Sequence, residues 1–202
     1  MHRSLFRAVA GAVAATVIIT GITTMTDSAT AEASHDGSRF VLTIFPHDTT
    51  DAGFSNTWGN RRSGGRRHQG TDIMSPRGTE IVAVADGVVT KLGKHRMSGY
   101  FIRIDHGDGW MTVYMHLNND TFGTDDGKGG TWTAFYATLM EGDEVRAGQV
   151  IGYVGDSGNA EGTRPHTHFE IRHDRRKMNP YHMLREVWER QHRFPTRGAL
   201  PF

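Results

Sequence analysis

His166 and His168 lie two apart in Arg164-Pro165-His166-Thr167-His168-Phe169-Glu170-Ile171, which reads as a β-strand running into the core. Side chains two apart on a strand leave the same face, so both imidazoles can address one object. Upstream, His68-Gln69-Gly70-Thr71-Asp72 supplies another imidazole and, four residues on, a carboxylate. Such nitrogen and oxygen donors suit zinc, and a catalytic zinc takes three protein ligands with a fourth position left for water. His68, Asp72 and His168 meet that count. Gly70 between the first two argues for a loop and against a helical His-Glu-x-x-His arrangement, so the ion would be held between a loop and a strand. His166 shares a face with His168, and His116 ends the run Val113-Tyr114-Met115. Either could accept a proton from activated water or stabilise a developing oxyanion, since an imidazole titrates near ~6.5 when unperturbed.

The elements that must position these groups are mostly strands. Glu80 to Ala85, Gly87 to Thr90, Tyr100 to Ile104, Met111 to His116, Val150 to Val154 and Thr167 to Ile171 are rich in β-branched and aromatic residues and separated by glycine turns. Arg39 to Phe45 reads as a further short strand. The expected fold is mainly β, a predominantly antiparallel domain. Helical character is confined to Tyr181 to about His192, where Met183, Leu184 and Val187 are spaced for one buried face after Asn179-Pro180. Asn118 to Met140, with its Gly, Asp and Thr, reads as a long surface loop too polar for the core. Trp132, Phe135 and Tyr136 within it are expected to fold back over hydrophobic surface; whether they reach a groove stays open.

Residues 1–31 have the three parts of a secretory signal: Arg3 and Arg7, an apolar run from Ala8 to about Met25, and Ala29-Thr30-Ala31 before Glu32. The competing reading is an uncleaved anchor, because the run is about long enough for the ~30 Å hydrocarbon core. Cleavage leaves about 170 residues, one domain by size. Losing Arg3 and Arg7 from 23 basic residues and Asp27 from 22 acidic ones leaves 21 of each, a balance that offers nothing to nucleic acid. The chain has no cysteine, so an exported form must rely on packing or a metal. Its 12 histidines are an excess that asks for a reason.

His68-Gln69-Gly70-Thr71-Asp72-Ile73, Pro76-Arg77-Gly78-Thr79, Val82 to Val89, Tyr114-Met115-His116-Leu117, Gly148-Gln149-Val150-Ile151-Gly152 and His166-Thr167-His168-Phe169-Glu170 occur in the order found in lysostaphin-type (LytM) zinc metallopeptidases. The chain closely resembles that family from about Gly59 to Pro180. The resemblance implies an antiparallel β-sheet groove with a short C-terminal helix, one zinc ion per chain on His68, Asp72 and His168, and catalytic roles for His116 and His166. It implies a monomeric, secreted or wall-associated endopeptidase acting on peptidoglycan stems or cross-bridges, in membrane contact only if the signal stays uncleaved. The alternative is a non-catalytic wall-binding or hydrolase-activator module of the same fold. Thr167 stands where the family more often has an aliphatic residue, and 118–140 looks like an insertion. The domain division is then 1–31 signal, 32–50 a short segment, 51–185 peptidase and 186–202 helix end and tail.

Gly155-Asp156-Ser157-Gly158 would suit a nucleophilic serine, but as a turn toward His166 it needs no such role. Asp120, Asp125 and Asp126 lack the alternation and closing glutamate of a calcium loop. Arg61, Arg62, Arg66 and Arg67 could attract peptide carboxylates or form a solvated basic loop. His47, His95, His106, His173, His182 and His192 are expected as surface or core residues, with neither His47 nor Asp48 at the metal.

Overall fold

A computed structural model describes residues 40–193 of the chain. Residues 1–39, with the expected signal segment, and the tail from 194 lie outside the described residues. In chain order the elements are β1 (Gly53–Phe54), β2 (Thr71–Met74), β3 (Glu80–Val82), β4 (Gly87–His95), β5 (Gly99–Gly107), β6 (Trp110–Leu117), α1 (Thr131–Ala134), β7 (Glu144–Val145), β8 (Val150–Tyr153), β9 (His166–His173), β10 (Arg176–Met178) and α2 (Tyr181–Arg193). Eight strands form one sheet in the order β1-β2-β9-β6-β5-β4-β7, with β10 also on β9, and β3 pairs with β8 in a second sheet. Every pairing is antiparallel, as the alternation of the sequence requires.

Period-two alternation divides the large sheet into two faces. Ile102 and Ile104 of β5, Thr112 and Tyr114 of β6, Thr167, Phe169 and Ile171 of β9 and Ile73 of β2 are all buried. They meet Ile81 and Ile151 of the small sheet and Leu184 and Val187 of α2 in one core. Each large aliphatic or aromatic side chain so enclosed contributes roughly 1.5–3 kcal/mol through apolar area withdrawn from water. Residues 166, 168, 170 and 172 of β9 are consequently left on the opposite, open face. The helix begins where Asn179 Oδ1 accepts the Tyr181 N–H at 3.1 Å. It is pinned by Trp188 against Phe45, ring centroids 4.6 Å apart. Among the described residues no helix is long and apolar enough to cross a membrane.

Two expectations are corrected. Phe40 to Phe45 is not a strand. Leu42 and Phe45 enter the core while the Thr43 and Ile44 amides converge on one carbonyl, that of Val84, at 2.8 and 3.3 Å. Apolar anchors three apart fit an irregular strap better than a ladder. Nor is 118–140 wholly a surface loop. Asn118, Asp120, Thr133, Ala134, Phe135 and Leu139 are buried, and Phe135 bridges to Gly152 of β8. Its polar residues can be enclosed because they are paired: Arg77 binds Asp120, and also Asp156 at 2.6 Å and Asp125 at 3.0 Å. A guanidinium thus fills the centre of the carboxylate cluster, and hydrogen-bonded charge is tolerated where unpaired charge would not be.

His47 occupies the core side of β9. Its Nδ1 lies 2.8 Å from Ser75 Oγ and its Nε2 2.9 Å from Thr167 Oγ1. Thr167, the departure from the resembled family, therefore has a buried partner. Burial, helped by the charge of His166, holds the His47 pKa down to about 3. The unfolded chain binds this proton near pH 6.5 and the native one does not. Stability contributed by neutral His47 is therefore complete above about 6.5 and is lost as pH falls toward 3. Between pH 7 and 5 this linkage amounts to about 2 kcal/mol. Urea denaturation at the two pH values should show that loss in the native sequence and not in His47→Gln; parallel curves for both proteins would refute the linkage.

Candidate metal centre

Strand register assembles the three expected ligands. Asp72 of β2 is the cross-strand partner of His168 of β9, so their side chains share the open face. His68 arrives from the segment before β2, tied by its amide to Asn60 O at 2.8 Å. Two adjacent strands and a loop therefore hold the set, since Asp72 lies on a strand and not in the loop. His68 Nε2, Asp72 Oδ1 and His168 Nδ1 form a triangle with sides of 3.0, 2.9 and 2.9 Å.

The hydrogen bonds behind the triangle suit its members to hold a cation. His68 Nδ1 faces the Thr57 hydroxyl at 2.8 Å and the Thr57 carbonyl at 3.2 Å. His168 Nε2 faces Glu170 Oε1 at 3.4 Å. A carbonyl and a carboxylate only accept, so with a cation in the triangle these ring nitrogens would carry the protons and the inner ones would turn lone pairs toward it. The three inner atoms lie within 3.0 Å of one another, close enough to share one cation. Burial pushes the Asp72 carboxyl up, yet its contacts with His168 and His68 outweigh burial and hold it well below the usual carboxylate range, so Asp72 brings a full negative charge to this point. Arg62 caps its outer oxygen at 2.6 Å. The donor set and its backing fit a divalent ion of the zinc type.

Glu170 was not singled out as a functional residue from sequence, although its place two after His168 puts it on the same face. Burial raises its pKa, yet hydrogen bonds from His168 and Lys177 and the charges of Arg172 and Lys177 bring it down to about 2. It stays an acceptor for His168 at any physiological pH. Thr57, eleven residues before His68 in a turn-rich segment, left no sequence signal.

Gly70 makes room for this arrangement. A Cβ there would lie 2.5 Å from His168 Nε2 and 2.7 Å from the Phe169 carbonyl oxygen. The carbonyl cannot swing aside, so Gly70→Ala must displace the His168 ring from Glu170. Disturbing such backing contacts costs about 10–100-fold in metal affinity. Zinc titration against a chromophoric chelator reads this directly, and wild-type affinity in Gly70→Ala would show the close approach to be unimportant.

His116 and His166 open on the same groove, their ring centroids 5.2 Å apart and that of His116 6.2 Å from His168. Simple alternation would turn His116 toward the core, because Met115 already shares the face of His168. The register between β5 and β6 slips at this point, leaving His116 as the extra residue of a bulge with φ of 61°. A bulge re-aims a side chain, and here it swings the imidazole outward. His116 Nδ1–H donates to the Ser157 carbonyl at 2.8 Å, and His166 Nδ1–H donates to that of Arg164 at 2.8 Å. Both rings therefore present an unprotonated Nε2. Burial, with the charges of His166 and His168, holds the His116 pKa down to about 4 despite its carbonyl partner. Ser157 is itself buried, its Oγ donating to Leu117 O at 2.5 Å and accepting from the Tyr100 amide at 3.0 Å. Among the described residues no imidazole hydrogen-bonds its hydroxyl, so Ser157 is a clip for the bulge and not a nucleophile.

The groove has a volume of about 950 Å³. Its walls come from the 62–69 segment on one side and from Met97, Ser98 and the 159–164 turn on the other. No residue of 118–140 lines it. Trp132 and Tyr136 are exposed away from it, while Phe135 packs edge-on against Tyr100.

An antiparallel sheet thus brings two histidines and an aspartate around one point, a group that could hold a metal ion, with two more imidazoles alongside. The sequence profile of Peptidase family M23 matches residues 66–180, and the chain belongs to that family. It is 37% identical over 115 residues to the DD-carboxypeptidase/endopeptidase Mpg of Neisseria meningitidis, covering 57% of this chain and 22% of that protein. With the peptidoglycan DD-endopeptidase ShyC of Vibrio cholerae it shares 32% over 106 residues, 52% of this chain and 20% of the other. The chain thus spans about a fifth of these curated relatives. The catalytic domain of the antimicrobial peptidase lysostaphin from Staphylococcus simulans superposes with a TM-score of 0.52 at 26% identity, covering 66% of this chain and 92% of that one. A zinc-containing peptidase from Vibrio cholerae superposes with a TM-score of 0.51 at 26% identity, over 69% and 39%.

Proposed function

We propose that this chain is an exported zinc endopeptidase that hydrolyses peptide bonds in peptidoglycan stems or cross-bridges. The observation that carries the reading is the convergence of three lone-pair donors on one point, beside two imidazoles whose outer nitrogens face the same groove. Peptidoglycan endopeptidases among the relatives support the substrate, and the zinc-containing neighbour supports the ion. Zinc bound by His68, Asp72 and His168 would supply Lewis acidity and lower the pKa of coordinated water toward ~7.

The chain's own residues supply the rest. His166 Nε2, on the more open side of the groove, accepts the proton of the attacking water; burial makes an imidazolium less favourable at His116. The same nitrogen then delivers that proton to the departing amine. His116 Nε2, locked as an acceptor by the Ser157 carbonyl, orients the water. Peptide and groove walls exclude bulk solvent from these contacts. Activity should peak at neutral pH or above, well clear of the range near 4 in which His116 takes up a proton.

The reading is tested by metal analysis alongside mass spectrometry of fragments released from defined cell walls. Stoichiometric zinc, fragment release, and loss of release after chelation with recovery on zinc addition are expected. Full zinc occupancy without any fragments would instead identify a non-catalytic wall-binding module.

A further inference from the structure

The full chain is almost neutral, with 23 basic and 22 acidic residues, yet the groove is not. Its lining holds six cationic side chains, Arg62, Arg66, Arg67, Arg164, Arg172 and Lys177, against the two carboxylates of Asp72 and Glu170. Both carboxylates are already engaged. Asp72 takes Arg62 at 2.6 Å, and Glu170 takes Lys177 at 2.6 Å and Arg172 Nε at 2.8 Å. Among the described residues Arg66, Arg67 and Arg164 have no carboxylate partner.

Two of these three are held by neutral acceptors that leave their charge unspent. Arg66 donates from Nε to Ser63 O at 3.1 Å and from Nη2 to Ser63 Oγ at 3.2 Å, and Arg67 Nη1 donates to Gly59 O at 3.0 Å. Each guanidinium has five N–H donors, so both keep a free edge. Arg164 stands on the opposite wall, in the turn whose carbonyl orients His166. A substrate laid between the walls meets oriented positive charge from both sides, in a cleft where low-dielectric walls concentrate the field.

We propose that Arg66, Arg67 and Arg164 select peptides bearing free carboxylates along the strand being cut, so that the groove prefers acidic stem peptides to amidated stems or neutral glycine bridges. A planar guanidinium fork matches a carboxylate in two parallel hydrogen bonds and offers a carboxamide much less. The proposal rests on the peptidase reading above and narrows its substrate.

The test compares soluble cross-linked stem peptides with free side carboxylates against the same peptides with those groups amidated. Zinc-loaded full-length protein should cut the acid form with kcat/KM about tenfold higher, a typical worth for one charge-assisted hydrogen bond. The advantage should shrink with added salt. In Arg164→Gln and in Arg67→Gln the KM for the acid form should rise toward that of the amide, with zinc content unchanged. Equal cleavage of both forms, or a preference that survives in the double variant, overturns the proposal and leaves the peptidase reading standing. Variants impaired only on whole walls, with soluble acid and amide peptides cut alike, would mean that the arginines attract anionic wall polymers, and the proposal would fall. Cleavage of neither peptide nor wall would remove the peptidase reading along with it.

Discussion

Asp72→Asn is expected to give a folded protein that retains little zinc and releases fragments from purified wall at least about a thousandfold more slowly, a barrier change of about 4 kcal/mol. Asparagine keeps the size of the side chain and its place opposite His168 in the β2–β9 ladder. What it removes is the anionic oxygen that stands 3.0 Å from His68 Nε2 and 2.9 Å from His168 Nδ1. A neutral amide oxygen is a weaker donor to a divalent ion. Its NH2 group, if turned inward, would instead satisfy the two histidine lone pairs without any metal. Zinc content, thermal shift on zinc addition and fragment release should fail together. A variant with native zinc affinity would show that the three side chains do not form a metal centre. One that lacked zinc but digested wall normally would show that the centre is not where catalysis occurs.

His166→Ala and His116→Ala should separate chemistry from metal binding. Neither ring belongs to the donor triangle, so both variants should keep zinc. Loss of a positioned acid–base group typically costs 10²–10⁴-fold, and fragment release should fall by about that much in each. The two should differ in kind. His166 carries the proton in the proposed scheme, so the rate lost on removing it should be partly restored by added imidazole, a small base that can take its place. His116 sits in a bulge with φ of 61° and is held through Ser157. His116→Ala should lose rate without such rescue, because a free base does not reproduce a fixed acceptor that orients the water. Unchanged fragment release from His166→Ala would take that residue out of the mechanism altogether.

Much of this site is legible before any coordinates. His166 and His168 announce their shared face because strand geometry has a period of two, and a Thr–Phe–Ile alternation beside them fixes which face is buried. Asp72 and His68 are legible as donor types, and Gly70 as a break that rules out a helix between them, whereas the close approach of its backbone to His168 appears only in the fold. Glu170 could have been read from the same periodicity. The sequence misleads where local composition and tertiary burial disagree. The polar 118–140 segment is partly interior because Arg77, distant in sequence, neutralises Asp120. Leu42 and Phe45 look like strand residues but act as plugs, because what they pack against lies far along the chain.

Donor chemistry, side-chain alternation and the placement of glycine are local properties, and they were enough to point to a metal site, to name its candidate ligand types and to give the antiparallel class of the fold. Distances between those groups depend on strand register, which pairs Asp72 with His168 across 96 positions. The outward turn of His116 depends on one residue's slip between β5 and β6. The unbalanced charge of the groove depends on which cations fold against carboxylates and which do not. These are outcomes of non-local pairing, where a shift of one residue exchanges the core face for the open one, and no short stretch of chain contains that information.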